Sequence, residues 1–272
     1  MFQMDIKSLF FASILLFMVG CRADSSNDTP VITSFKGTII PLYSHPADDA
    51  WKSLLELNTT LETIAIINPN NGPVECNTTM SDEYRIGINQ LKSHSIKVMG
   101  YVHSRYGSRS VEVVEADITR YNECFSNLDG FFVDETNSSD ASSPYYSRLY
   151  QFVKDQNASF QVVLNPGVYP QEKIVQASDI TIIYENGGEN YDAITPPAYI
   201  SKYPSSKFAL LGYSITQTAV TAEKLKKLNS FKIGYVYLTE DGVGDGNPWD
   251  TLSSYYGSLM EMLIPQNLYP LR

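Results

Sequence analysis

The sequence predicts one α/β domain, a closed (β/α)8 barrel of the TIM type. Three observations carry this. Eight short apolar runs without helical period recur at spacings of roughly 20 to 35 residues, the length of a βα unit. Amphipathic stretches with a three- and four-residue repeat lie between them. About 250 residues remain after the N-terminal leader, the size of one such barrel.

Residues 1–20 read as an export signal. Lys7 supplies a weak positive start beside Asp5. Leu9 to Gly20 is apolar except for Ser13, too short to span a bilayer as a helix of about 20 residues. The stretch ends Phe17-Met18-Val19-Gly20-Cys21. A small residue before Cys21 resembles a bacterial lipobox, although Met18 is unusual at its first position. On that reading Cys21 carries lipid and attaches the mature chain to a membrane. An ordinary cleaved signal and an unprocessed anchor are the other readings. Residues 21–34 are polar and read as a tether, which leaves 35–272 as the barrel domain.

The expected strands are Gly37 to Tyr43, Thr63 to Pro69, Lys97 to His103, Gly130 to Thr136, Phe160 to Pro166, Asp179 to Glu185, Phe208 to Tyr213 and Ile233 to Thr239. Helical signals follow several of them. One starts at Ser81-Asp82-Glu83, with Ile88 and Leu91 on its apolar side. Val111, Val114, Ile118 and Tyr121 form a second, Thr221 to Leu228 a third and Leu252 to Leu263 a last. Strands alternating with helices indicate a parallel sheet, and eight units favour closure.

The formal net charge of −10 argues against a nucleic-acid partner, which needs a basic face. It suits a neutral or cationic ligand, and solubility would explain it equally well. If Cys21 is lipidated, Cys76 and Cys124 remain. Cys76 is expected at the top of the barrel and Cys124 at the bottom, so no bridge is expected between them. Sequons at Asn27, Asn58, Asn77, Asn137 and Asn157 permit N-glycosylation.

Chemistry in such a barrel collects at the carboxyl ends of the strands. Gly130-Phe131-Phe132-Val133-Asp134-Glu135-Thr136 drives three apolar residues into two adjacent carboxylates. Neighbours on a strand point to opposite sides, so Asp134 and Glu135 do not face each other. A third acid is needed, and Glu185 closes the sixth run. Two carboxylates facing across the mouth are what glycoside hydrolysis requires: one protonates the leaving oxygen, the other attacks the sugar or activates water. The bland alternative is that these acids cap a helix or pair with an arginine.

The other strand ends supply candidate substrate contacts in Tyr43, Asn68, Tyr101, His103, Asn165 and Tyr237. Tyrosine rings cover apolar sugar faces while their hydroxyls reach sugar oxygens. Ordinary core packing, and turn formation by Asn68 and Asn165, are the competing readings. His45 and His103 with Asp134 and Glu185 could bind a metal, but no His spacing typical of a metal site is present. No cofactor is expected.

The ordered motifs resemble a known family. They are Pro41-Leu42-Tyr43 with Pro46 and Trp51; Ile67-Asn68-Pro69-Asn70 to Gly72-Pro73; Gly100-Tyr101-Val102 with Tyr106-Gly107 and Arg109; Asp129 to Glu135; Leu164-Asn165-Pro166-Gly167; and Tyr184-Glu185. Together they resemble the spherulin-4-like family (spherulation-specific family 4), which includes endo-α-1,4-N-acetylgalactosaminidases. The match runs from residue 37 to about 190 and is looser beyond. The resemblance implies the (β/α)8 fold and cleavage within α-1,4-linked galactosamine polymers of matrix or biofilm. It carries over three acids, Asp134, Glu135 and Glu185. Among them Asp134 is expected as nucleophile, Glu185 as general acid/base and Glu135 as a supporting acid, and retention of configuration is expected by analogy with other α-galactosidase-type barrels. Val74 departs from the family's frequent glycine, and Thr136 and Asn137 follow the acids closely. A non-catalytic polysaccharide-binding coat protein of the same fold, and a metal-dependent hydrolase, are the alternative readings.

Overall fold

The computed structural model describes residues 35–57, 60–244 and 246–264. The expected export signal, Cys21, the expected tether and the sequons at Asn27 and Asn58 lie outside the described residues. Eight parallel strands close into a barrel in chain order. They are β1 Gly37–Leu42, β2 Glu62–Ile67, β3 Lys97–His103, β4 Gly130–Asp134, β5 Gln161–Leu164, β6 Ile180–Gly187, β7 Phe208–Tyr213 and β8 Tyr235–Leu238. The strands are buried almost throughout. A sheet filled inside and covered outside needs apolar residues on both faces, which is why its strands read as continuous apolar runs.

The covering helices are α1 Asp49–Glu56, α2 Thr79–Ser93, α3 Val111–Cys124, α4 Ser143–Gln156, α5 Glu172–Gln176, α6 Ala222–Ser230 and α7 Tyr256–Leu263. Thr78 caps α2: its hydroxyl accepts from Ser81 N–H, and the Ser81 hydroxyl accepts from Thr78 N–H. Between β6 and β7 two short 3-10 turns, Ala198–Lys202 and Ser205–Lys207, replace a helix. Pro196, Pro197 and Pro204 in that segment lack the N–H that a helix interior requires.

Cys76 and Cys124 form a disulfide with Cα atoms 5.1 Å apart, which overturns the expectation of no bridge. The loop after β2 is the reason. It lies along the C-terminal half of α3: Tyr121 donates its hydroxyl to Gly72 O at 2.9 Å, and Arg120 pairs with Glu75 at 2.6 Å. Cys124 Sγ also lies 3.6 Å from Val74 O. Counting strand ends placed Cys76 at the top; the descent of its loop carries it to the end of α3.

Candidate active site

The site is built on the exits of β4, β5 and β6. In β4, Phe131 packs against Tyr121 of the covering helix α3, so its neighbour Phe132, stacked on Tyr101 of β3, faces the barrel interior. Asp134, two residues on, shares that side. The strand ends there rather than at Thr136. Glu135 adopts a left-handed backbone with φ 50°, which a non-glycine residue adopts at a cost. Its carboxylate leaves the strand's alternation and meets His103 Nδ1 at 3.3 Å. In β6 the pairing with β7 slips at a bulge between Ile182 and Tyr184, before Glu185. Bulges turn the side chains that follow them, here just ahead of the acid.

Asn165, buried at the end of β5, joins the two acids. Its Nδ2 donates to Asp134 Oδ1 at 2.7 Å and to Glu185 Oε2. Its Oδ1 accepts from Gly167 N–H at 3.0 Å, which fixes which end of the amide faces the carboxylates. Gly167 takes φ 65°, a conformation that suits glycine, and so closes this turn. Asp134 receives two further donors: the Glu135 N–H on Oδ1 at 2.8 Å and the Tyr101 hydroxyl on Oδ2 at 2.9 Å. Glu185 receives the Trp249 indole N–H on Oε1 at 3.2 Å.

Both carboxyls titrate above the ordinary range. Burial pushes Asp134 up, against the pull of its hydrogen-bond donors. Burial and then the charge of Asp134 push Glu185 up to about 7. Two carboxylates this close do not both ionise readily, so the pair favours holding one proton. Asp134 has three donors and Glu185 two, which favours the ionised form at Asp134 and the proton at Glu185. Tyr43 lies edge-on to Tyr101 with centroids 5.4 Å apart, and burial followed by Asp134 raises its hydroxyl.

The chain matches the model of spherulation-specific family 4 over residues 37–263. It belongs to that family. It is similar to Spherulin-4 of Physarum polycephalum, at 31% identity over 225 residues that span 80% of this chain and 67% of that protein. Among solved structures it is similar to Aspergillus clavatus Sph3 in complex with GalNAc, with TM-score 0.70, 19% identity, and 85% and 98% of the two chains covered. Dispersin B matches with TM-score 0.52 and 9% identity, over 85% of this chain and 97% of that one. At these identities the structural likeness speaks for the barrel.

Within this family member the sequence-derived site residues separate. Asp134, Glu185, Asn165 and Tyr101 meet directly, and Tyr43 packs behind them. Glu135 and His103 pair beside the site; the Glu135 side chain is 39% exposed, so it stays reachable from the mouth. Asn68 holds a turn, accepting from Gly72 N–H at 3.0 Å. Tyr237 is fully buried, and its hydroxyl accepts from Ser253 N–H at 3.1 Å. His45 pairs with Glu83 at 3.1 Å, apart from His103. Among the described residues no group of three His, Cys, Asp or Glu side chains is arranged to hold a metal.

Trp249 is the residue that strand-end reasoning missed. It lies in the β8–α7 segment, where its carbonyl accepts from Tyr43 N–H at 3.0 Å. Its ring packs edge-on against Tyr213 at 5.8 Å and tilted against Tyr237 at 6.1 Å. The available signal was a tryptophan, one of two in the chain, in the polar turn Asn247-Pro248-Trp249-Asp250 that follows the last strand.

Proposed function

We propose that this protein is an exported glycoside hydrolase that cleaves within an α-1,4-linked polysaccharide containing (N-acetyl)galactosamine, with retention of configuration. The observation that carries this reading is the single Asn165 amide in contact with both acids. Two hydrogen bonds to one nitrogen keep the nearest carboxylate oxygens within about 6 Å. Retaining glycosidases hold their acids about 5 to 5.5 Å apart, and inverting ones about 6.5 to 9.5 Å.

Asp134 attacks the anomeric carbon while Glu185 passes its proton to the departing glycosidic oxygen. The sugar is then held as an ester on Asp134. Glu185, now ionised, takes a proton from water; the resulting oxygen attacks the anomeric carbon and frees Asp134. The Tyr101 hydroxyl and the Glu135 N–H stabilise the Asp134 charge before attack and after release. Glu135 is the supporting acid, held by His103.

Three observations support the substrate and the location. Family membership and the likeness to Sph3, which binds GalNAc, favour an amino-sugar polymer. The net charge of −10 would draw a partly deacetylated, cationic polymer. The Cys76–Cys124 disulfide fits an oxidising compartment, hence export, either free or anchored through a lipid on Cys21.

The test is incubation of the protein with an α-1,4-linked GalNAc polymer, with oligosaccharides read by mass spectrometry. Short oligosaccharides are expected, and they should disappear with Asp134→Asn and with Glu185→Gln. Binding without any cleavage by the wild type would favour a coat-protein role. Turnover that survives both substitutions would remove the assignment of the acids.

A further inference from the structure

Tyr106 is the only exposed Tyr, Phe or Trp among the described residues, at 62% exposure. The other aromatic rings of this tyrosine-rich chain are buried or half-buried. A lone exposed ring on a loop is unremarkable. Two further observations set this one apart.

The first is its backbone. Arg105 and Tyr106 both lie in the left-handed region, with φ 47° and 56°, followed by Gly107 at 81°. A bulky residue pays for that conformation, and glycine would not. The second is what holds it. Tyr106 N–H donates to Glu135 O at 2.6 Å, and Asn137 Nδ2 donates to Tyr106 O at 3.2 Å. Tyr146 secures the same junction from α4: its hydroxyl accepts from Asn137 N–H at 2.6 Å and meets the Ser104 hydroxyl at 2.9 Å. The loop after β3 is thus clasped to the loop after β4, one residue beyond Asp134. Glu135 is itself left-handed, so two strained residues are bonded to each other at the edge of the acid pair.

We propose that Tyr106 is a binding platform on which a sugar ring of the polymer stacks, outside the subsite that spans the cleaved bond. The backbone cost is met by the loop clasp, and what it secures is an aromatic face held in solvent at the rim of the catalytic mouth. This proposal rests on the polysaccharide reading above and names one of its contacts. A platform of this kind favours chains over single sugars, since a chain can occupy the platform and the acid pair at once.

The experiment uses the full protein with Tyr106→Gly, Tyr106→Phe and Tyr106→Trp. Glycine suits the left-handed conformation, so Tyr106→Gly is expected to melt no lower than the wild type while losing the platform. Its KM for α-1,4-linked GalNAc polymer should rise about 3- to 10-fold, with kcat little changed, as loss of one aromatic contact implies. Tyr106→Phe should keep wild-type KM, and Tyr106→Trp should match or lower it. In parallel, gel mobility in embedded polymer is read in an Asp134→Asn background, which reports binding without turnover. Retardation that falls with Tyr106→Gly, in a protein whose wild type cleaves nothing, would sink the hydrolase reading and leave the platform standing. Wild-type KM and unchanged retardation for Tyr106→Gly would overturn the platform alone. Absence of retardation in the Asp134→Asn protein itself would overturn it as well.

Discussion

Trp249 donates its indole N–H to Glu185 Oε1 at 3.2 Å, joining positions 64 residues apart. The donor favours the ionised carboxylate, whereas burial and Asp134 favour the protonated one. The second pair of effects wins and sets Glu185 near 7. A general acid must be protonated to act, so kcat/KM should fall as pH rises through about 7. Trp249→Phe removes the N–H and keeps most of the ring. The alkaline limb should then move to higher pH. A limb that stays put or moves down would show that the indole does not tune this acid.

Asn165→Ala should be damaging, though less so than loss of either acid, because one amide positions both. A fall in kcat of roughly 10- to 100-fold is expected, as for other groups that orient a catalytic pair. Asn165→Asp would place a third carboxylate against two others and should do worse than alanine. Activity above one-tenth of wild type in Asn165→Ala would show that Asp134 and Glu185 hold their places without it.

Glu185 also makes stability depend on pH. Its folded pKa, about 7, lies above its ordinary 4.5. The folded chain therefore holds a proton that the unfolded chain releases, and this contribution is fully present below about 4.5 and lost as pH rises to about 7. The loss is on the order of 3 kcal/mol, the shift from 4.5 to about 7 at about 1.4 kcal/mol per unit. Melting curves of Glu185→Gln should lack this component, so the variant should gain on the wild type between pH 5 and pH 8. Parallel pH dependence in the two proteins would mean that Glu185 titrates normally.

The Cys76–Cys124 bridge closes a loop of 48 residues. Restricting the unfolded chain in this way stabilises a fold by about 2 to 4 kcal/mol. Cys76→Ser with Cys124→Ser should therefore lower the melting temperature by several degrees while leaving kcat nearly unchanged, since the bridge lies along α3 and away from the acids. Loss of activity at temperatures where the variant is still folded would contradict this separation.

Much of the architecture was legible. β3 and β7 have the bounds read from the sequence, and the other strands differ by a few residues at their ends. The acids Asp134 and Glu185 stand at the exits of β4 and β6, where apolar runs meet charge. The helices α1, α4 and α5 were not read out: α1 and α5, with eight and five residues, hold too little periodicity to register, whereas the 14-residue α4 carries Tyr146, Leu149 and Val153 at helical spacing and was passed over. Tyr237 and Asn68 had the right residue type at strand ends, but the Tyr237 hydroxyl accepts from Ser253 N–H and the Asn68 Oδ1 from Gly72 N–H. Which polar group finds a partner depends on loops, and loop paths leave no periodic signal.

The sequence by itself determined the order of βα units and the strand ends at which charge accumulates. Burial sets hydrophobic pattern, and pattern is local along the chain. Only the tertiary structure decided that Asn165 bridges the two acids, that Glu135 turns away into a left-handed backbone, that Trp249 returns from the β8–α7 segment to Glu185, and that the loop after β2 descends to bring Cys76 to Cys124. Each of these joins groups through barrel closure or through the path of one loop. Their energies depend on distances in space that spacing along the chain does not encode.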